Sequence, residues 1–211
     1  MTIKVFNDNT IEQNAYLLVK GKDAIIIDPG FNGEAILEEL RVLGVKLTDV
    51  LITHGHFDHI RDLVLIGENH NFSIHIHEAD ASFLKDEEKN CARLFNSHFT
   101  LPPTFKVITH RDGDVIEALG ERITVFHTPG HTAGSVCYHL GERLYTGDTL
   151  FQDGIGRTDL YSGSLKAIKI SLARIRDGFS RATDIYPGHG PNAPLGDILK
   201  RIPYLWRLPA N

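Results

Sequence analysis

The strand-like run Val50-Leu51-Ile52-Thr53 leads directly into His54-Gly55-His56-Phe57-Asp58-His59. Imidazoles and carboxylates are the nitrogen and oxygen ligands of transition metals. His54 and His56 are two residues apart, so in extended chain both side chains leave on one side. Gly55 is expected to permit a tight turn between them. Asp58 and His59 follow where the chain bends into a helix start, a place that favours a carboxylate. Three imidazoles and one carboxylate exceed what a single tetrahedral ion takes from one loop, so the spacing points to two ions sharing it. The chain has 12 His, and isolated ones elsewhere carry no such implication.

Three other positions repeat one grammar: an apolar strand, a glycine, then a ligand type. They are His131 in Thr128-Pro129-Gly130-His131-Thr132, Asp148 in Leu144-Tyr145-Thr146-Gly147-Asp148-Thr149, and His189 in Ile185-Tyr186-Pro187-Gly188-His189-Gly190. Each alone is an ordinary loop residue. Together with the first loop they put five His and two Asp at strand ends, where sites gather in sheet-centred domains. Seven such ligands suit two adjacent ions, in two sets of three with one carboxylate bridging. Imidazole-rich sites suit zinc, iron or manganese. The ligand loops contain no Cys, so an open catalytic site is expected rather than a closed thiolate one. Two close ions can share a water, bring its pKa toward neutrality and polarise a carbonyl.

The elements that must hold these residues follow from periodicity. Ile3–Phe6, Ala15–Val19 and Ala24–Asp28 read as strands, the last ending in the turn Asp28-Pro29-Gly30. Gly33–Leu43 has helical spacing, with Gly44 as its stop. Asp58–Ile66 reads as one helix. Ser73–His77 alternates, with Ile74 and Ile76 on one face and His75 and His77, read as surface or packing residues, on the other. Glu78–Asn96 reads as one broken or two short helices, with Asp86–Lys89 facing solvent. Phe105–Thr109, Arg122–Thr128, Gly134–Leu140, Arg143–Thr146 and Thr183–Tyr186 read as strands. Leu165–Ile175 is an amphipathic helix capped by Ser164, and Ile198–Leu205 a short terminal helix interrupted by Pro203. Interleaved helices and strands predict a sheet core covered by helices.

At 211 residues, with 42% hydrophobic residues and no Gly-, Ser- or Pro-rich linker, one domain over 1–211 is the simplest reading. A net charge of −5 lacks the basic footprint of a nucleic-acid binder. No apolar run approaches membrane-spanning length, and the N-terminus lacks a signal-peptide core. Cys91 and Cys137 read as reduced, packed thiols rather than a disulfide framework. The expectation is a cytoplasmic protein with no membrane or nucleic-acid partner.

On His54-x-His56-x-Asp58-His59, Thr128-Pro129-Gly130-His131-Thr132, Gly147-Asp148-Thr149 and Pro187-Gly188-His189-Gly190, the chain resembles the metallo-β-lactamase-fold hydrolases. Gly147–Phe151 and Gly154–Leu160 resemble their glyoxalase II-like branch. The resemblance implies an α+β fold, a four-layer αββα sandwich of two similar halves. It also implies that His54, His56 and His131 hold one ion, that Asp58, His59 and His189 hold the other, and that Asp148 bridges. The chain departs from the branch at Ile60-Arg61-Asp62, where Ile-Gly-Gly is usual, and at Tyr161, where Pro is frequent. Only 22 residues follow His189, too few for the helical region that helps glyoxalase II hold glutathione.

The expected activity is hydrolysis of a small thioester, as by a hydroxyacylglutathione hydrolase, with two divalent ions, zinc foremost. A metal-bridging hydroxide attacks the carbonyl, Asp58 holds the nucleophile as well as ligating, and the thiolate leaves without a general acid. Arg157 and Asp159 read as an ion pair bracing Gly154–Leu160. The alternatives are a persulfide dioxygenase of the same fold with one iron, and a metal-binding protein without turnover. Ile155-Gly156, where the dioxygenase branch carries Cys, weighs against the first.

Overall fold

A computed structural model describes residues 1–8 and 10–204. Two six-stranded mixed sheets face each other. The first runs β1 (Thr2–Asn7), β2 (Asn14–Lys20), β3 (Asp23–Ile27), β4 (Lys46–Leu51), β5 (Ser73–His77) and β6 (Lys106–His110) in that order. β1 to β3 form an antiparallel meander, and β3 to β6 are parallel. Parallel neighbours need crossovers, supplied by α1 (Gly33–Leu43), then α2 (Phe57–Ile60) with α3 (Leu63–Gly67), then two 3₁₀ segments, Glu78–Lys85 and Ala92–Phe95.

The second sheet repeats the plan. β7 (Val115–Ala118), β8 (Glu121–His127), β9 (Val136–Leu140) and β10 (Arg143–Gly147) are antiparallel neighbours. α4 (Leu165–Gly178) then crosses over to β11 (Asp184–Pro187), parallel to β10. β12 (Ala193–Pro194) closes the edge and α5 (Leu195–Arg201) follows.

Strand alternation sorts the apolar side chains into three layers. Leu17, Ile26, Val50 and Ile74 pack under α1 and α3. Leu18, Ile25, Leu51, Val125 and Tyr138 fill the space between the sheets. Leu144 and Ile185 meet Ile168, Leu172 and Ile198 of α4 and α5. This is the expected αββα sandwich.

Four local expectations change. The helix expected over Asp58–Ile66 is two short helices broken at Arg61-Asp62. Asp62 Oδ2 accepts from the Gly33 N–H at 2.8 Å, capping α1, whose adjacent Asn32 makes no side-chain cap. Arg61 lies 4.6 Å over the Phe31 ring and pairs with Asp62, so these charges serve packing. β7 and β12 went unread because four and two residues carry too little alternation. The terminal helix starts earlier, at Leu195, and ends at Arg201 before Pro203, while Leu205 lies outside the described residues. Gly44 at φ 60° and the Ser164 cap on the Ala167 N–H agree with expectation.

Candidate metal centre

All seven candidate ligands lie at one end of the sandwich, where β4, β8, β10 and β11 stop. His54 and His56 are on the extended segment after β4, and Asp58 and His59 on α2. His131 follows β8, Asp148 follows β10 and His189 follows β11. Gly55 is needed for space rather than for a turn: a Cβ there would lie 2.4 Å from Phe83 Cβ. Gly188 is needed likewise, since its Cβ would sit 2.2 Å from Asp148 Oδ1.

The inward atoms converge. His56 Nδ1 is 2.8 Å from His131 Nε2, which is 3.2 Å from His54 Nε2. On the other side His189 Nε2 is 3.2 Å from Asp58 Oδ2, and His59 Nε2 is 3.7 Å from the same oxygen. Asp148 lies between, with Oδ1 3.3 Å from His59 Nε2 and Oδ2 3.6 Å from both His131 Nε2 and His189 Nε2. His54, His56 and His131 form one group that could hold an ion, and Asp58, His59 and His189 another.

The outer nitrogens decide the tautomers. His131 Nδ1 donates to Arg157 O at 2.8 Å, and His189 Nδ1 to Ile11 O at 2.9 Å. His59 Nδ1 donates to Asp28 Oδ2 at 2.9 Å. Thr53 Oγ1 gives its proton to Asp28 Oδ2 at 2.6 Å, and so accepts from His54 Nδ1 at 3.2 Å. With their outer nitrogens donating, His54 Nε2 and His131 Nε2 face each other as acceptors, beside His56 Nδ1 and the unpartnered buried atoms His59 Nε2 and Asp148 Oδ1. Such a contact is repulsive without a cation to share, and carboxylates complete the donor set. The residues fit a pair of N/O-ligated divalent ions.

In the protein without ions, the two sides differ in charge. Burial, and then the neighbouring His59 and His131, push His54 well below the usual imidazole range. Burial and His131 bring His56 to about 3. Burial also opposes charge on His59, but Asp148, Asp28 and Asp58 outweigh it and raise its pKa well above the usual value. Against the same opposition, Asp148 and Asp58 raise His189. Burial disfavours the charged form of Asp148, yet His189 and His59 hold it well below the carboxylate range.

Two positioning carboxylates escaped the sequence reading. Asp28, read only as part of a turn, is buried at φ 50°, a strained value for a residue other than glycine. It accepts from the Thr53 N–H at 2.8 Å besides Thr53 Oγ1 and His59. Asp80, read as part of a helical stretch, is buried and joins two ligand loops. It accepts from the Gly55 N–H at 3.0 Å, Thr132 Oγ1 at 2.7 Å and the Gly134 N–H at 2.8 Å. Asp28 ends a strand beside Pro-Gly, a placement close to that of the ligand loops; Asp80 has no local signal.

Arg157 and Asp159 form the expected pair, at 2.7 and 2.9 Å, both exposed. The Arg157 carbonyl is what orients His131. Tyr161 packs edge-on to Phe83 at 5.6 Å, and Phe83 lies 6.0 Å from the His56 ring. Cys137 is a buried thiol pushed up to about 12 by burial. Cys91, expected to be only packed, lines the cavity over the ligand cluster. No helix among the described residues is long and apolar enough to cross a membrane.

The last ligand is tied to the start of the chain. Asn14 Nδ2 donates to Pro187 O and Gly190 O, Tyr16 Oη to Pro187 O, and Gln13 bridges His189.

A family model described as the metallo-beta-lactamase superfamily matches residues 9–203. "Probable metallo-hydrolase YqgX" of Bacillus subtilis is 32% identical, over 92% of this chain and 93% of its own. Among solved structures, BLEG-1 B3 metallo-beta-lactamase superposes with a TM-score of 0.88 at 31% identity, covering 97% of this chain and 99% of that one. TTHA1623 in a di-iron-bound form superposes at 0.84 with 29% identity, covering 96% and 100%.

Proposed function

The chain belongs to the metallo-beta-lactamase superfamily, and we propose that it is a metal-dependent hydrolase of small thioesters, of the glyoxalase II-like branch, built around two divalent ions. The observation that carries the reading is the convergence of His54, His56 and His131 on one point and of Asp58, His59 and His189 on another, with Asp148 facing both. His54, His56 and His131 would hold one ion, Asp58, His59 and His189 the second, and Asp148 both. Zinc is the first expectation for this donor set, and the di-iron form of a relative supports iron as the alternative. When bound, such ions supply a water acidified toward neutrality and an electrophile for the carbonyl oxygen.

The chain's own residues orient the reactants. Asp58 lines the cavity, where its carboxylate would accept a hydrogen bond from the nucleophile and fix its direction. Asp28 and the Arg157 carbonyl keep His59 and His131 in the tautomers that leave Nε2 free. Outside the ligand set, the described residues lining the cavity offer only Cys91 and Arg157 as proton donors to a leaving amine. Burial raises the Cys91 thiol, and Arg157 keeps its protons at any working pH. A thiolate needs no such donor, which favours thioesters over amides or lactams.

The test is a panel of acyl-thioester, lactone, lactam and persulfide substrates on protein of measured metal content. Thiol release at about two ions per chain is the expected result. Lactam opening without thioester cleavage would move the protein toward its BLEG-1 relative, and oxygen uptake with a persulfide on one iron toward the dioxygenase alternative. Two bound ions and no turnover would leave a metal-binding protein.

A further inference from the structure

A cavity of about 250 Å³ stands over the ligand cluster. His56, Asp58, His131 and Asp148 form its floor, and its walls include Leu94 and Phe95 from the second 3₁₀ segment and Leu160 from the loop before α4. Leu94 is 68% exposed and Phe95 36%, so two large apolar side chains are held out beside a polar pit. The turn presenting them is strained at its start, where Cys91 holds φ 63°, and is closed by Asn96 at φ 51°, a value that asparagine adopts readily at a helix end. It is also anchored. Asn90 Nδ2 donates to Phe83 O and its Oδ1 accepts from the Ala92 N–H. The Phe95 ring lies 5.4 Å from Phe57. Among the described residues Arg157 is the only Lys or Arg lining the cavity, and Asp159 engages it through two bonds, which cancels its charge.

Backbone strain held in place by buried hydrogen bonds, at a spot that leaves leucine in water, calls for an apolar occupant. We propose that this wall is an acyl subsite and that the substrate's acyl group is an apolar chain, seated against Leu94, Phe95 and Leu160 with its carbonyl over the ligand cluster. The proposal rests on the hydrolase reading and narrows it, from hydroxyacyl groups to alkyl ones. In the reaction the water oxygen bonds to the carbonyl carbon, the C–S bond breaks with its electron pair going to sulfur, and acid and thiol are the products.

The experiment compares acetyl, butyryl, hexanoyl and lactoyl thioesters of one thiol on zinc-loaded protein, for the parent, Leu94→Ser and Leu94→Met. The expected kcat/KM rises about fourfold per added methylene until the cavity is full, with hexanoyl above lactoyl. Leu94→Ser lowers the hexanoyl-to-acetyl ratio about tenfold, and Leu94→Met restores it. A flat series, or equal losses on all four substrates, overturns the subsite. If no thioester is cleaved, the thioester reading falls by itself. The subsite is then decided by calorimetric binding of hexanoate against acetate to the zinc-loaded protein. A hexanoate preference that Leu94→Ser removes upholds it, and equal affinities overturn it.

Discussion

His75 and His77 on β5 are nearly as buried as His54 and His56, at 5% and 6% exposure against 1% and 3%. By burial and composition the two pairs are alike. Their nitrogens separate them. His75 Nε2 meets Asp49 at 2.9 Å and its Nδ1 meets His110 at 2.8 Å. His77 stacks on His127 of the facing sheet with ring centres 3.9 Å apart, and its Nδ1 accepts from the Ala79 N–H. His127 Nε2 donates to Ala133 O. His75 spends both ring nitrogens on separate neighbours, and His77 and His127 spend one each. In the candidate metal centre the outer nitrogens of His54, His59, His131 and His189 are spent, that of His56 has no partner, and the inner nitrogens of all five point at shared space. Convergence of unspent atoms, and not burial, distinguishes a prospective ligand from a packing histidine.

The most severe challenge to that distinction is Asp148→Asn. Loss of the shared charge should drop the metal content from about two ions per chain to one or fewer, read by elemental analysis after desalting. Two tightly held ions in this variant would end the bridging role. Asp28→Asn comes next. It places an amide N–H or a weaker acceptor against His59 Nδ1, and affinity should fall about 10–100-fold in chelator competition. An unchanged affinity would make the Asp28 contact irrelevant to the tautomer.

Asp80→Ala removes an acceptor from three donors in two loops. Unfolding should cost about 3 kcal/mol less, measured by denaturant titration, and affinity should fall by less than in Asp28→Asn. The smallest effect belongs to the other histidine group. Burial, and then His127, lower His77 from the ordinary 6.5 to about 4. Between those values the unfolded chain binds a proton that the folded chain refuses, so this contribution is complete above about pH 6.5 and declines as pH falls toward about 4. His77→Asn should leave the metal content intact and flatten that decline relative to the parent. A drop in metal content would blur the line between the two groups.

The ligand loops were legible because each carries its signal locally, as an apolar strand, a glycine and a ligand type within a few residues. The layered fold was legible for a similar reason, since alternation and helical spacing are short-range. What could not be read depends on distant chain. Asp80 is defined by Gly55 and Gly134, Asp62 by Gly33, and Asp28 by Thr53 and His59. In sequence each is one more acidic residue. The break at Arg61-Asp62 was visible as a departure, but its cause lies at the start of another helix. Gly55 was correctly singled out for the wrong reason, because the crowding ring of Phe83 lies far along the chain.

The tie between Asn14, Tyr16 and the His189 loop has a consequence for synthesis. Its hydrogen bonds span separations of 171 to 176 residues, close to the whole chain. At about 5–20 residues per second, the ribosome delivers the His54–His59 loop several seconds before His189 exists. Through that interval the first sheet can form by local pairing, with its imidazoles exposed and its second ligand set incomplete. Closing so long a contact is a late and slow event. A nascent chain holds a partial chelator before it holds an enzyme.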